Sequence, residues 1–238
     1  GKIVGNRTED MNYMEGETEK TVEGTYGAGI NLGGNITLLI TGGNIAENVA
    51  NKYGGGINVP VGNTLQISGT PIITENTANN KADNVYLRSS KDGISLSLIN
   101  VMGELKNGAV IGVKTETTPN NSTNKSIQIT DTETDTEYYK NAAQYFIPDA
   151  ANVVAQANEG KYVELAYTTD TYHKVTLNLS HASVSIGSPV KDGKSCTITI
   201  KADEGYTLPV EAPSEAANYK CDNDKTTANV TVTPTADT

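Results

Sequence analysis

The sequence is poor in the residues that build a thick globular core and in those that bind nucleic acid. Its 238 residues include no tryptophan, one phenylalanine and two arginines, and its formal net charge is -10. Phosphate neutralisation needs clustered lysine and arginine, so this balance argues against nucleic-acid binding. The acidity favours solubility rather than any particular partner. The shortage of large aromatic side chains suits many thin β-layers better than one thick core.

Long apolar runs are also missing. No stretch approaches the roughly 18 residues that a membrane-spanning helix requires, so no transmembrane segment is predicted. No basic and apolar leader opens the sequence, so the signal of an exported protein would have been removed or would lie outside it.

Cysteine is scarce, with Cys196 and Cys221 as the only two. Neither lies in a C-x-x-C motif, so a zinc site is not predicted. A disulfide between them is one interpretation for an extracellular chain, and two separately buried thiols are the other.

The sequence does contain an internal repeat. Residues 26–32 (YGAGINL) return as residues 53–59 (YGGGINV), 27 residues later, and Leu38 aligns in the same way with Leu65. A fixed period of this size predicts a solenoid of stacked rungs. Apolar residues alternate with polar ones at residues 36–41 and 64–68, which predicts short half-buried strands that pair in parallel from rung to rung.

Glycine and asparagine recur in register with these strands. The repeated glycines are expected at sharp structural corners or close backbone approaches: Gly27, Gly29, Gly54, Gly55 and Gly56. An Ile-x-x-Asn pattern ends at Asn6, Asn48 and Asn76. We expect these asparagines to form a structural ladder, each amide bonding to its equivalents above and below, in preference to a ligand-binding role.

The Gly-Gly-Gly-Ile and Ile-x-x-Asn repeats resemble those of bacterial surface proteins and polymorphic outer-membrane adhesins. The resemblance covers about residues 1–115 and implies a right-handed parallel β-helix of the pectate-lyase-like type. Isoleucine at positions 3, 45 and 73 replaces the phenylalanine of that family's motif. The last rung, residues 81–84 (KADN), has lost its glycines, which indicates that the regular coil is ending.

Asn6 and Tyr26 are 20 residues apart in the first rung, whereas the equivalent positions in the later rungs are five apart, so the first rung carries an insertion of about fifteen residues. Loops that leave a solenoid on one face are common binding elements. The insertion is therefore a candidate binding loop, with an ordinary surface loop as the alternative. Its candidate residues are Glu9, Asp10, Tyr13, Glu15, Glu17, Glu19 and Glu23.

The fold class predicted is all-β, with a parallel β-helix and its capping strands over residues 1–170 and a small antiparallel module, Ig-like or similar, over 171–238. The repeats are clearest over 26–88. Residues 196–209 (CTITIKADEGYTLP) resemble repeat modules of bacterial surface proteins that act as spacers. Alternating acidic residues offer calcium as an alternative to a solvated loop, although no cofactor is required: Asp131, Glu133, Asp135 and Glu137.

Catalysis is not predicted. β-Helix lyases need calcium carboxylates beside an arginine or lysine base, hydrolases need clustered aspartates, and neither cluster is visible. We expect a non-catalytic, adhesin-like fragment of a bacterial cell-surface protein that presents a β-helix face and loops to a glycan or to a host or matrix protein. A polysaccharide lyase or hydrolase and a purely structural stalk are the alternatives.

Overall fold

A computed structural model describes residues 1–8, 11–15, 18–22, 26–91, 93, 95–132, 141–173, 182–184, 190–202, 204–209 and 219–232. Over these residues the protein is all-β, as the alternating sequence pattern predicts. None of them forms a helix that is both long enough and apolar enough to cross a membrane.

The strands, in chain order, are β1 (Lys2–Val4), β2 (Met11–Glu15), β3 (Thr18–Val22), β4 (Ile30–Asn31), β5 (Thr37–Ala46), β6 (Val49–Ala50), β7 (Ile57–Val59), β8 (Thr64–Thr74), β9 (Thr77–Ala78), β10 (Lys81–Ala82), β11 (Val85–Leu87), β12 (Ile99–Leu105), β13 (Val110–Thr115), β14 (Ser126–Gln128), β15 (Phe146–Pro148), β16 (Val153–Asn158), β17 (Tyr162–Tyr167), β18 (Tyr172–His173), β19 (Ala182–Val184), β20 (Val190–Lys191), β21 (Cys196–Ala202), β22 (Tyr219–Cys221) and β23 (Thr227–Val232). A short 3₁₀ helix, Ala143–Tyr145, precedes β15.

The largest element is a nine-stranded, strongly curled sheet. Its strands follow the order β1-β5-β8-β13-β11-β7-β4, β12 pairs with β8, β15 pairs with β13, and every pairing is parallel. The pairing of β5 with β8 shifts register between Ile40 and Gly42, and an irregularity of this kind bends a strand. The long strands thus turn a corner, and the sheet curls in a way that is compatible with a β-helix.

The registers predicted from the repeat are confirmed. Leu38 pairs with Leu65, and Leu65 pairs with Ile99. A second column runs through the isoleucines of the Ile-x-x-Asn pattern and continues beyond it, through Ile3, Ile45, Ile73, Ile111 and Phe146. Because each column places one branched or aromatic side chain on the next at the spacing of neighbouring strands, about 4.8 Å, the interior fills without large side chains.

These columns form one continuous apolar core. It extends from Leu32 to Leu165, and Ile57, Leu65 and Ile73 within it are fully buried. The single phenylalanine, Phe146, is also fully buried, where it closes the isoleucine column at its C-terminal end. The parallel pairing therefore extends past the point where the sequence repeat fades.

Glycine is required at the repeated positions for two different reasons. Gly27 and Gly54 have positive φ angles of 64° and 65°. At Gly56 a Cβ atom would lie 2.6 Å from the carbonyl oxygen of Asn84 and 2.9 Å from Nδ2 of Asn76. At Gly29 it would lie 2.5 Å from the carbonyl oxygen of Gly56, and a Cβ on Gly55 would collide with the backbone of Thr77. The first two need glycine for conformation and the others for space.

The remaining sheets are small. Strands β6 and β9 pair in parallel and β9 pairs antiparallel with β10, while β14, β17 and β16 form an antiparallel sheet beside the end of the coil. In the last part of the chain β18 pairs with β20, and β19, β21, β23 and β22 form a four-stranded antiparallel sheet. This sheet carries a second, separate apolar cluster of Ile200, Leu208, Ala228 and Val230. The boundary at residue 171 and the Ig-like identity of this module stay predictions.

The disulfide interpretation is wrong for this structure, in which Cys196 and Cys221 are both free. Cys196 pairs with Val232, and Cys221 pairs with Ala228 on the opposite side of the same strand, β23. Four residues along a strand span about 13 Å, well beyond the roughly 7 Å that a disulfide tolerates between Cα atoms. Partial burial instead raises the pKa of the Cys196 thiol, which keeps it in the unreactive neutral form.

Candidate functional site

An asparagine ladder runs along one corner of the curled sheet. The backbone N–H and Nδ2 of Asn6 both donate to Oδ1 of Asn48, at 3.0 and 2.8 Å. Asn48 donates in the same way to Oδ1 of Asn76, and Asn76 to Oδ1 of Asn84. Asn48 and Asn76 are fully buried. The structure thus brings the three sequence-predicted asparagines together in a purely internal network and adds a fourth member, Asn84.

The ladder ends on a carboxylate. The backbone N–H of Asn84 donates to Oδ2 of Asp149 at 2.6 Å, and its Nδ2 donates to Oδ1 of Asp149 at 2.7 Å. The pKa of Asp149 is raised to about 6, chiefly by burial; the hydrogen bonds from Asn84 oppose the rise, the nearby Asp83 carboxylate adds to it, and the charge of Lys114 opposes it. Asp149 therefore caps the ladder at the expense of holding a charge in a poorly solvated position.

This arrangement predicts a pH dependence of stability. The folded pKa of Asp149, about 6, lies above the ordinary value of 3.8, so the folded state binds the proton more tightly. The stabilisation is complete below about pH 3.8 and is lost as the pH rises through 6. We expect Asp149→Asn to raise the free energy of unfolding by about 1–3 kcal/mol at neutral pH, because its single amide oxygen can accept both bonds from Asn84 without a charge, as Oδ1 of Asn76 accepts both from Asn48.

Urea denaturation of both proteins at a series of pH values measures this effect. The gain of the variant over the natural protein should shrink as the solution is acidified from neutral pH toward pH 4. A gain that stays constant over that range would show that Asp149 does not titrate as the structure indicates. Glu204→Gln, at an exposed glutamate, is the control.

A second set of side chains lies on or next to the parallel strands β4, β7, β11 and β13, and we call it the tyrosine face: Tyr26, Tyr53, Tyr86, Arg88 and Lys114. Tyr53 is 39% exposed, whereas Tyr86 is only 2% exposed. The rings of Tyr26 and Tyr53 are parallel, with centroids 5.9 Å apart, and those of Tyr53 and Tyr86 are parallel at 4.6 Å. Cations lie against two of the rings, with Lys114 Nζ 5.9 Å from the Tyr86 centroid and Arg88 Cζ 4.8 Å from that of Tyr26.

The two cations differ in their partners. Lys114 Nζ forms an ion pair with Oδ2 of Asp83 at 3.1 Å, and Asp83 Oδ1 also accepts a bond from the backbone N–H of Gly54. Within the part of the chain that the structure describes, Arg88 has no ion pair and no hydrogen bond from its guanidinium. Its Cζ lies over the ring of Tyr26. Arg88 is half-buried, so its donors reach the surface.

The acids of this face are not arranged for catalysis. The Asp83 side chain is 1% exposed, and burial raises its pKa although Lys114 lowers it. Burial, assisted by the Glu116 carboxylate, raises the pKa of Tyr86 far above its ordinary value, so this phenol stays protonated. Asp83 thus holds Lys114 in place and has no access to a substrate.

Asn58, which is in register with Tyr86, has a buried acceptor oxygen without a partner among the described residues. Asn31, Asn58 and Tyr86 are in register on β4, β7 and β11. Nδ2 of Asn58 donates to Oδ1 of Asn31 at 2.8 Å, but Oδ1 of Asn58, although buried, has no hydrogen-bond partner among the described residues. A buried unpaired oxygen is costly unless water or a ligand group reaches it.

The predicted binding loop is an antiparallel hairpin, in which Tyr13 pairs with Lys20 and Glu15 with Thr18. Tyr26, the first described residue after it, bridges to Tyr53. Glu19 pairs with Met14 in the hairpin, whereas Glu9, Asp10, Glu17 and Glu23 lie outside the described residues. The loop's binding role stays a prediction.

Two other candidate sites are a cavity beside β12 and the alternating acidic residues at 131–137. A cavity of about 540 Å³ lies beside β12, and its lining includes Glu104, Lys106, Tyr145 and Lys201 without a pair of close carboxylates. In the described ranges, no three His, Cys, Asp or Glu side chains lie close enough together to hold a metal ion. Of the alternating acids proposed for calcium, only Asp131 is described, whereas Glu133, Asp135 and Glu137 fall outside.

Sequence reasoning missed Asn84, Asp149 and the stacking of Tyr86. Asn84 lies only 8 residues after Asn76, because the β9–β10 turn returns the chain to the same corner, so the 27-residue period does not find it. Tyr86 occupies the register position of Asn58. The recurrence of tyrosine at positions 26 and 53 was the available signal for the aromatic stack.

No family model, curated protein or solved structure matches this chain.

Proposed function

We propose that this protein is a non-catalytic, adhesin-like fragment of a bacterial cell-surface protein, built on a short right-handed parallel β-helix and a spacer module, which binds glycans or host or matrix proteins. The observation that carries the proposal is the tyrosine face. It presents a half-buried arginine and the 39%-exposed ring of Tyr53.

The internal contacts support a scaffold role. The asparagine ladder, the isoleucine column and the tyrosine stack each link one rung to the next, so they stabilise a rigid coil without consuming its outer polar surface. The buried carboxylates of the described residues have internal partners: Asp83 pairs with Lys114, and Glu164 accepts hydrogen bonds from Gln156 and Asn158. The half-buried Asp149 accepts hydrogen bonds from Asn84. An extracellular location on the bacterial surface is inferred from the resemblance of the glycine-rich repeats to those of surface adhesins.

A binding and turnover experiment on the whole chain tests the proposal. The chain would be passed over immobilised hyaluronate, polygalacturonate, dextran and collagen, and the same polysaccharides in solution would be assayed for new reducing ends. We expect saturable retention on at least one surface and no new reducing ends. Depolymerisation would favour the lyase or hydrolase alternative, and lack of retention on every surface would favour a purely structural stalk.

A further inference from the structure

The ion pair between Lys114 and Asp83 lies in dry surroundings for two opposite charges. Nζ of Lys114 is 3.1 Å from Oδ2 of Asp83, and the two side chains are 25% and 1% exposed. The same Nζ lies 5.9 Å from the ring centroid of Tyr86, which is itself 2% exposed. Removing two charges from water is costly, and their attraction repays this cost only in part. A neutral bond between the two groups would avoid the cost.

The carboxyl group of Asp83 is held in a geometry that suits attack by an amine. Its Oδ1 accepts a hydrogen bond from the backbone N–H of Gly54 at 2.9 Å, while its Oδ2 faces Lys114. Burial raises the pKa of Asp83, which favours the protonated acid, although Lys114 and the bond from Gly54 lower it. The protonated acid is the form that an amine attacks, and an N–H group aimed at the other oxygen stabilises the negative charge that develops there.

A third ionisable group, Asp149, lies at the same level of the coil as Lys114. Strands β13 and β15 pair Val113 with Pro148, and the backbone N–H of Asp149 donates to the carbonyl oxygen of Val113 at 2.9 Å. Lys114 and Asp149 are the next residues along these parallel strands. The charges of Asp83 and Lys114 both act on the pKa of Asp149, which is raised to about 6, chiefly by burial. Asp149 can therefore accept and release a proton near neutral pH.

From this geometry we propose that Lys114 and Asp83 condense in the folded protein to an isopeptide bond, an amide between the lysine Nζ and the aspartate Cγ. A proton first passes from Nζ to Oδ2 within the ion pair, which leaves a neutral amine beside a neutral acid. Nζ then attacks Cγ, and the negative charge that forms on Oδ1 faces the N–H of Gly54. Asp149 takes a second proton from Nζ and passes it to Oδ2. The Cγ–Oδ2 bond breaks, one water molecule leaves, and the C=O bond to Oδ1 forms again.

The isopeptide bond ties neighbouring rungs of the coil together. Asp83 precedes β11, and Lys114 lies on β13, which pairs with β11. The two residues are 31 positions apart, so the bond closes a loop slightly longer than one repeat. A rung pulled away from the sheet would stay attached to the next one through this bond. The proposal is independent of the binding function, because it requires no ligand.

Intact mass spectrometry of the whole chain, after incubation at neutral pH and denaturation, tests the proposal. We expect a mass lower by one water molecule than the sequence requires. A tryptic digest should contain residues 82–88 joined to residues 107–125, because trypsin does not cleave after a lysine whose Nζ is acylated. Lys114→Arg keeps the positive charge but has no primary amine, so it should show the full mass and no joined peptide.

Lys125→Arg, at an exposed lysine, is the matched control and should lose water as the natural protein does. Asp149→Asn cannot carry the second proton and should form the bond at least about tenfold more slowly, since general acid–base assistance commonly contributes a hundredfold or more. The effect of Asp149→Asn on unfolding is measured in the Lys114→Arg background as well, where no cross-link forms.

The full mass in the folded natural protein after prolonged incubation would overturn the proposal and leave Lys114 and Asp83 as an ordinary ion pair. A loss of water that persists in Lys114→Arg would also overturn it, because the water would then come from the cyclisation of another side chain. Circular dichroism of each protein before denaturation shows that the chain is folded, which separates a missing bond from a folding defect.

Discussion

Replacing Asn76 with alanine is expected to lower the free energy of unfolding by about 3–5 kcal/mol, the largest loss of any single polar substitution in the coil. Oδ1 of Asn76 accepts two bonds from Asn48, and its Nδ2 donates to the carbonyl oxygens of Ile45 and Thr74 and to Oδ1 of Asn84. Alanine would leave the backbone N–H of Asn48, a fully buried residue, without its acceptor and would remove the side-chain bonds to Ile45 and Asn84.

Urea denaturation followed by circular dichroism measures the loss. The control is Asn124→Ala, at an exposed loop asparagine, which should shift the free energy of unfolding by less than about 0.5 kcal/mol. If Asn76→Ala is too unstable to purify, Asn6→Ala removes only the exposed first member and should cost about 1 kcal/mol. Similar, small effects of all three substitutions would mean that the ladder does not hold the rungs together.

Adding a single methyl group at Gly56 should be about as damaging as removing the Asn76 side chain. The new Cβ would lie 2.6 Å from the carbonyl oxygen of Asn84, and 2.9 and 3.0 Å from Nδ2 and Cγ of Asn76. Neither neighbour is free to move, because both belong to the buried ladder. We expect Gly56→Ala to lower the free energy of unfolding by about 2–4 kcal/mol through overpacking.

Gly33→Ala is the matched control. A Cβ at Gly33 would have no atom within 4 Å, and its φ is not in the left-handed region. It should be neutral or slightly stabilising, because alanine reduces the freedom of the unfolded chain. In urea unfolding, the midpoint of Gly56→Ala should therefore fall well below that of the natural protein, whereas the midpoint of Gly33→Ala should stay the same or rise. A Gly56→Ala variant as stable as Gly33→Ala would refute the close packing of glycine on the ladder.

The parts of this fold that repeat could be predicted, because repetition reports the packing of one rung on the next. The isoleucines at positions 45 and 73 and the asparagines three residues after them recur in the sequence, and the structure pairs them in register. The recurrence at 26–32 and 53–59 likewise predicts the pairing of Ile30 with Ile57.

The candidate site could not be predicted to the same extent, because it is made where the repeat breaks. Arg88 and Tyr86 have no counterparts in the other rungs, and the contact of Arg88 with Tyr26 joins residues 62 positions apart, a spacing that is no multiple of the period. Asp149 joins the ladder from beyond the repeats. Such contacts depend on how the irregular segments fold back onto the curled sheet. The alternation of apolar residues and the 27-residue period do not encode this.

The hydrogen bonds of the ladder all point the same way, and this direction limits how such a coil can lengthen. Within the ladder, each asparagine donates to the next ladder member on the C-terminal side and accepts from the previous member on the N-terminal side. An inner member such as Asn48 or Asn76 is therefore an interchangeable link. A duplicated rung could be inserted between Asn48 and Asn76 with every bond preserved. Asp149 cannot serve as such a link, because an ionised carboxylate has no proton to donate. The coil can therefore gain rungs among the asparagines, but the acid marks a fixed terminus.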